Sequence, residues 1–344
     1  MFQSLFTIAI FAILLAIAGG WFFWRAMRTP YKGYDEPKTR VEVRRGQRTA
    51  TILKQMQKEG VLRDQWIPLV YMQLLRRNDS LKAGVYEFDK PLSAVEVVDK
   101  LVSGQVSLKS ITIREGLDRF AIAKIFAAED LGTEEQWEKV TSEADLIRDI
   151  APDAQSLEGY LFPDTYKFDP GTTADTIVKA MVANFRRHWG GELATITTGL
   201  DPHQTVTLAS IVETEARLPQ ERPIVASVYM NRVRLRMLLG ADPTVIYAMK
   251  LAGRWNGNIR KADLQMESPY NTYKTPGLPP GPIANPGLAS LRAAAAPAKT
   301  PYLYFVARND GSHVFATNNA EHNRNVEKYQ RQYFRDKRKK EAAR

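Results

Sequence analysis

From Leu5 to Trp24 the chain carries no charged residue (Leu-Phe-Thr-Ile-Ala-Ile-Phe-Ala-Ile-Leu-Leu-Ala-Ile-Ala-Gly-Gly-Trp-Phe-Phe-Trp). As a helix, about twenty residues at roughly 1.5 Å each reach roughly 30 Å, the thickness of the hydrocarbon core of a bilayer. Trp21 and Trp24 close the run, where amphipathic rings collect at a membrane–water interface. A cleaved signal peptide has a basic start, a shorter apolar region and a small-x-small cleavage site. No basic residue precedes this run, so an uncleaved transmembrane anchor is expected over residues 1–28. Arg25, Arg28 and Lys32 follow the span, and by the positive-inside rule they argue for a cytoplasmic body.

The rest must fold in water, and its composition permits this. The sequence has 344 residues, 44% hydrophobic and 25% charged, enough for two or three modules and a substantial core. It contains no cysteine, which removes disulfides, thiolate metal sites and cysteine nucleophiles. The net charge is +10. Residues 331–344 hold Arg331, Arg335, Lys337, Arg338, Lys339, Lys340 and Arg344 against Asp336 and Glu341, so half of the excess lies in a frayed basic tail. A nucleic-acid surface needs a basic stripe with interleaved aromatics across a folded face. A short tail beside an anchor suits anionic lipid better, and nucleic acid is not expected as a partner.

Residues 29–40, with two prolines and a glycine, form an expected linker. Two similar segments follow. Val41-Glu-Val43-Arg44-Arg45-Gly46 precedes a helix with Ile52, Leu53 and Met56, and Ile111-Thr-Ile113-Arg114-Glu115-Gly116 precedes one with Phe120, Ile122, Ala123 and Ile125. Each is a short alternating strand, a glycine turn and an amphipathic helix. Between them a helix over Tyr71–Arg77, a strand over Gly84–Phe88 and a helix capped by Ser93 and stopped by Gly104 are expected. Residues 41–105 thus make a small α/β module. From 106 to 330 the pattern is mainly helical, interrupted by a segment from Pro269 to Pro286 that holds six prolines. Proline fixes the backbone and glycine lets it approach closely, so this stretch is expected as a rigid wall. The fold class is α+β.

The stretch Thr205 to Ala216 is a helix in which Glu215 follows Val212, Ile211 and Leu208 at spacings of three, four and seven, continuing an apolar stripe. Glu213 follows Ser210, Ala209 and Val206, a more mixed face. A carboxylate drawn out of water holds its proton to higher pH, as a general acid requires. The alternative is a helix end at which Glu215 has turned to solvent. Glu158-Gly-Tyr-Leu-Phe-Pro-Asp-Thr-Tyr166 combines carboxylates and aromatics, either for sugar contact or as a packed turn. Asp242 before Pro243 looks like a helix N-cap. Tyr270-Asn-Thr-Tyr273 would put amide, hydroxyl and ring on the wall. His188, His203, His313 and His322 show no metal-ligand spacing, so no metal is expected. Neither a Gly-x-Ser-x-Gly elbow nor a P-loop occurs. Carboxylate acid–base work is what remains.

Seven segments in order carry a resemblance: Glu158–Tyr166, Leu208-Ala-Ser-Ile-Val-Glu-Thr-Glu-Ala216, Ala226-Ser-Val-Tyr-Met-Asn-Arg-Val233, Asp242-Pro-Thr-Val-Ile-Tyr247, Tyr270–Tyr273, Gly277-Leu-Pro-Pro-Gly281 and Pro301-Tyr-Leu-Tyr-Phe-Val306. Together they resemble the endolytic murein transglycosylase (YceG-like) family over roughly residues 40–330. The resemblance implies a single-pass inner-membrane protein with its body in the periplasm, against the charge bias after the span. It also implies a LysM-like module at 41–105 and a catalytic domain at 106–330. The implied activity is cleavage of the MurNAc–GlcNAc β-1,4 bond within nascent peptidoglycan strands, leaving 1,6-anhydro-MurNAc ends. No cofactor is implied, and the implied partners are glycan strands and cell-wall synthases. The family's essential glutamate lies in the Glu-x-Glu of the helix, carried here onto Glu215 with Glu213 as the alternative. Asn271 and Tyr273 would orient the sugar and Glu158 would line the cleft, with Asp242 also at the substrate. Three rival readings stand beside this one. One is a hydrolase in which Asp242 or Glu158 activates water, another is an inactive wall-binding scaffold, and the third is a lipid-contacting structural protein that uses the basic tail.

Overall fold

The computed structural model describes residues 2–76, 79–169, 171–191, 193 and 199–342. Arg77, the end of the expected helix Tyr71–Arg77, and residues 343–344 of the basic tail lie outside them. The described chain is mainly helical, with three two-stranded sheets. It divides into two compact units, Met1–Ser110 with Lys167–Pro170, and Ile111–Tyr166 with Gly171–Arg344.

The first unit begins with α1 (Phe2–Arg28), in which Ile10–Arg28 is long and apolar enough to cross a membrane. Its large side chains are mostly exposed, as lipid-facing groups are. This is consistent with a single-pass anchor. Strand β1 (Thr39–Val43) pairs antiparallel with β2 (Gly84–Phe88), Val41 opposite Tyr86. Val41 and Val43 are buried while Arg40 and Glu42 face out, the alternation a one-sided sheet demands. Helices α2 (Thr49–Lys58), α3 (Trp66–Leu75) and α4 (Ala94–Ser103) complete the unit. Ser93 caps α4 in a reciprocal box with Glu96, and Gly104 at φ +74° ends it. The helix expected from Tyr71 starts five residues earlier, at Trp66. There the Asp64 carboxylate accepts from Trp66 N (3.1 Å) and Ile67 N (2.9 Å), and Pro68 sits in the first turn, where its missing N–H costs nothing.

Residues 29–40 are less free than their prolines suggest. Tyr31 and Leu92 exchange backbone hydrogen bonds, and Gly33 N donates to Gly60 O at 2.8 Å. The stretch is therefore tied to the module along part of its length.

The second unit is built around α8 (Pro202–Glu215), started by a capping box between Asp201 and Gln204 with Pro202 at the first helical position. Every residue from Thr205 to Val212 is buried. The expected contrast between an apolar and a mixed face is therefore absent: this is a central helix, enclosed on all sides. Around it pack α9 (Arg222–Arg234), α10 (Asp242–Leu251) and α11 (Leu288–Ala295). Buried Ala293, Ala294 and Ala295 keep α11 slim, so it approaches α8 and α9 closely. Helices α5 (Arg119–Ala128), α6 (Glu134–Ser142) and α7 (Ala174–Trp189) flank them, with Trp137 stacked on Phe126 at 4.5 Å. The basic tail, expected to fray, continues α12 (Asn319–Val326) through a π-turn into α13 (Tyr333–Ala342).

The proline-rich wall is bolted to α8. Ile283 N donates to Ser210 Oγ at 3.0 Å. His203 Nε2 lies 2.9 Å from Pro280 O, and since a carbonyl can only accept, Nε2 bears the hydrogen and Nδ1 accepts from the Tyr160 hydroxyl at 2.8 Å. Gly159, at φ +87°, lets the wall close: a Cβ there would stand 2.5 Å from Pro282 Cγ and 2.9 Å from Val206 Cγ1. Gly159→Ala combines an unfavourable φ with overpacking, and an unfolding titration is expected to show a loss of about 2 kcal/mol or more.

Candidate active site

Both glutamates of the Glu-x-Glu sit in the last turn of α8, and their partners separate them. Glu213 Oε1 accepts from Arg222 Nη2 at 2.8 Å and Oε2 from Gly287 N at 3.0 Å. Arg222 also reaches Glu115 at 3.6 Å. Burial pushes the Glu213 pKa up, opposed by the Gly287 N–H and the Arg222 charge. Its side chain is only 5% exposed, but it is paired. Removing one partner of such a pair leaves a buried charge without compensation. Arg222→Ala is accordingly expected to cost about 3–5 kcal/mol in urea unfolding, and Glu213→Gln in that background to recover part of it.

Glu215 is half-buried, and among the described residues no cation forms an ion pair with it. Burial, then the charge of Asp242, raise its pKa to about 7, while a hydrogen bond from the Tyr229 hydroxyl pulls the other way. Tyr229 comes from the buried face of α9, and its own pKa is raised well above the ordinary phenol by burial and by the Glu215 charge. Glu215 has thus not turned out into open solvent, and it can hold a proton near neutrality.

Asp242 does not cap α10, as its place before proline suggested. Ala241 occupies the N-cap position without a side-chain bond, and Asp242 is the first helical residue. Its exposed carboxylate is free to leave the helix axis and accepts from the Tyr273 hydroxyl at 2.5 Å. Around this pair the backbone is fixed by Gly240 N to Thr272 O (3.0 Å) and Ala241 N to Thr272 Oγ1 (3.0 Å). Gly240, at φ +56°, makes the turn that brings the start of α10 against the wall. Glu215, Tyr229, Asp242 and Tyr273 therefore form one group: a neutral-pH acid, a second carboxylate and two phenols.

Glu158 and Asn271, expected at the substrate, lie elsewhere. Glu158 is 1% exposed. Its oxygens accept from Arg119 N (3.1 and 3.0 Å) and Asn285 Nδ2 (2.8 Å). Burial first, and the charge of Asp118, push its pKa to about 8 against the Arg119 N–H, the Arg119 charge and Tyr247. Asn271 is fully buried. Its amide donates to Leu264 O (3.0 Å) and Met266 O (2.7 Å), and its Oδ1 accepts from Tyr273 N (3.0 Å). With their polar atoms turned inward, the two brace the site rather than open on it.

Sequence reasoning passed over Tyr229, Arg222, Arg232 and Asn285. Arg232 donates to Leu303 O (2.6 Å) and Leu239 O (2.8 Å), locking α9 to two loops. Asn285 joins three segments: its Oδ1 accepts from Leu161 N (2.9 Å) and its Nδ2 donates to Leu117 O (2.9 Å) and Glu158 Oε1. The available signal was polar residues within otherwise apolar or proline-rich runs. Among the described residues no three His, Asp or Glu side chains gather as a metal set.

The sequence profile of the YceG-like family matches residues 41–328. Over 334 residues the chain is 32% identical to an endolytic murein transglycosylase of Bacillus subtilis (strain 168), covering 92% of this chain and 91% of that one. It is 29% identical to a protein of the same name from Streptococcus pneumoniae serotype 2 (strain D39), again over 92% of this chain but spanning only 64% of that longer relative. A solved YceG-like protein of Listeria monocytogenes superposes with a TM-score of 0.59 at 30% identity, over 84% of this chain and 98% of that one.

Proposed function

The chain belongs to the YceG-like family, and from that premise we propose that it is an endolytic lytic transglycosylase of peptidoglycan. It cuts the MurNAc–GlcNAc β-1,4 bond inside nascent glycan strands and leaves 1,6-anhydro-MurNAc ends. The observation that carries the mechanism is the half-buried Glu215, with its pKa near 7 and no cation paired to it among the described residues. Protonated Glu215 donates to the glycosidic oxygen as C1 takes on oxocarbenium character. The carboxylate so formed accepts the proton of the MurNAc 6-hydroxyl, whose oxygen bonds to C1. One residue acts twice, and no water enters.

Tyr273 and Asp242 contact the sugar, Tyr229 orients the Glu215 carboxyl, and Glu213 with Arg222 holds the end of α8. Asn271 and Glu158 act through what they fix, Asn271 by setting the backbone of Tyr273. The first unit acts as a LysM-like module, a reading supported by its strand–helix–helix–strand order with β1 against β2. The body lies in the periplasm, where the glycan is, beside the cell-wall synthases.

The test uses the full chain in detergent micelles, because truncation behind α1 would strip Met27 from an apolar cluster with Tyr71, Met72 and Val98. Uncrosslinked strands are digested and the ends weighed by mass spectrometry. Ends one water lighter than hydrolysed ends support the transglycosylase. Hydrated ends would favour the two-carboxylate hydrolase, with Asp242 as the candidate for the second group. No cleavage by a folded chain would favour the scaffold.

A further inference from the structure

Helix α3 is built the wrong way round for a helix in water. Its sequence, Trp-Ile-Pro-Leu-Val-Tyr-Met-Gln-Leu-Leu, has no charged residue. Pro68, Tyr71 and Met72 fill the core side, yet the opposite side is also apolar: Trp66 is 63% exposed, Val70 40% and Leu74 72%. These three recur every four residues and so line one stripe, with Gln73 as the one polar residue beside them. A contiguous apolar patch of this kind marks an interaction surface.

Its position says what covers it. The last turns of α1 pack on α3 and α4 within one compact unit, and Met27 is fully buried in a cluster with Tyr71, Met72 and Val98. Met27 lies one turn, about 5 Å, beyond Trp24. Arg25 stands over the Trp21 ring (5.3 Å) and Arg28 over the Trp24 ring (4.6 Å), an interfacial belt with its cations. The headgroup layer on each side of the hydrocarbon core is roughly 5–8 Å thick. A helix packed directly on that turn lies at headgroup depth. Between α1 and the start of α3 opens a cavity of about 330 Å³ whose lining includes Phe22, Arg25, Arg63, Asp64 and Ile67. Two arginines and one aspartate line it, and Asp64 is already engaged at the start of α3. The charge balance suits anionic headgroups.

We infer that α3 is a second membrane contact: its Trp66–Val70–Leu74 stripe lies in the bilayer interface beside the anchor, with Arg25 and Arg63 toward anionic headgroups. The module is then seated on the lipid surface, which orients it, instead of swinging on a linker. The inference rests on α1 crossing the membrane.

The absence of cysteine makes the test direct. Single cysteines at Trp66, Val70, Leu74, Ile13 and Lys54 in the full chain are spin-labelled and reconstituted, one copy per nanodisc, in phosphatidylethanolamine and phosphatidylglycerol. Relaxation by oxygen, which partitions into lipid, is compared with relaxation by a water-soluble nickel chelate. Ile13 reports the anchor, and exposed Lys54 on α2 reports water. A severalfold higher oxygen-to-nickel ratio at 66, 70 and 74 than at 54 is expected. Aqueous ratios at all three, with a lipid ratio at 13, would overturn the inference and leave the anchor standing. An aqueous ratio at 13 as well would overturn both. Protection appearing only with two copies per disc would overturn it in favour of a contact between chains.

Discussion

Glu215→Gln is expected to lower the rate of strand cleavage by about 10³-fold or more, since general acid–base assistance contributes about 10²–10⁴-fold and one residue serves both halves of the reaction. The amide keeps the shape and the Tyr229 contact but has no proton to give. Glu213→Gln, which removes a charge from a structural pair, is expected to keep most of the activity of the chain that still folds. The pH profile gives a second readout. Cleavage needs the protonated acid, so kcat/KM should fall above pH about 7. Asp242→Asn removes the charge that helps to raise the Glu215 pKa, and should move that limb to lower pH. Tyr229→Phe removes the opposing hydrogen bond and should move it higher.

Stability distinguishes lost chemistry from lost fold. The folded-state pKa of Glu215 is raised from 4.5 to about 7. Its contribution to stability is therefore fully present below pH 4.5 and is lost as pH rises through 7, where the folded chain must ionise a buried group. Glu215→Gln has no such loss. Melting curves should show the variant at least as stable as the parent at pH 8, with the difference closing toward pH 4.5. An inactive variant that melts lower at pH 8 would mean that Glu215 had been a structural residue.

Asn285→Ala is expected to harm the fold as severely as Arg222→Ala. It leaves Leu161 N without an acceptor and takes a donor from Glu158, both in the interior, and it empties the volume of a fully buried amide. Each unsatisfied buried group costs about 1–3 kcal/mol, so a total of about 3–5 kcal/mol is expected in denaturant unfolding. For a domain of this size that lowers the melting temperature by roughly 10 °C. Asn285→Asp sharpens the test. A second carboxyl would stand against Glu158, whose pKa is already pushed to about 8. The variant's deficit should therefore widen from pH 5 to pH 8, as both groups are driven to ionise, whereas the Ala deficit should vary much less.

These residues differ in how visible they were before folding. That Glu215 is drawn out of open solvent was legible from its spacing to Leu208, Ile211 and Val212. The physical reason shifted, however: α8 is enclosed on every side, and Glu213 is also drawn inward. What separates the two is Arg222, which no helical periodicity could supply. Asp242 was misread as a cap because Asp-Pro is a good helix start, whereas the carboxylate is claimed by Tyr273 from another segment. Glu158 and Asn271 were read as facing the substrate, whereas their polar atoms point inward. Asn285 gave no local signal among the prolines.

The sequence by itself determined the apolar N-terminal helix, the Gly84–Phe88 strand, the cap at Ser93 and stop at Gly104, and the membership of a family. Each of these rests on local periodicity, on backbone chemistry, or on ordered motifs that survive without coordinates. Only the tertiary structure decided which glutamate is paired, which carboxylates meet, and that α3 shows an apolar face beside α1. Those are contacts between segments far apart in the chain, and burial and pairing set the charge state of a carboxylate, whereas residue type alone does not.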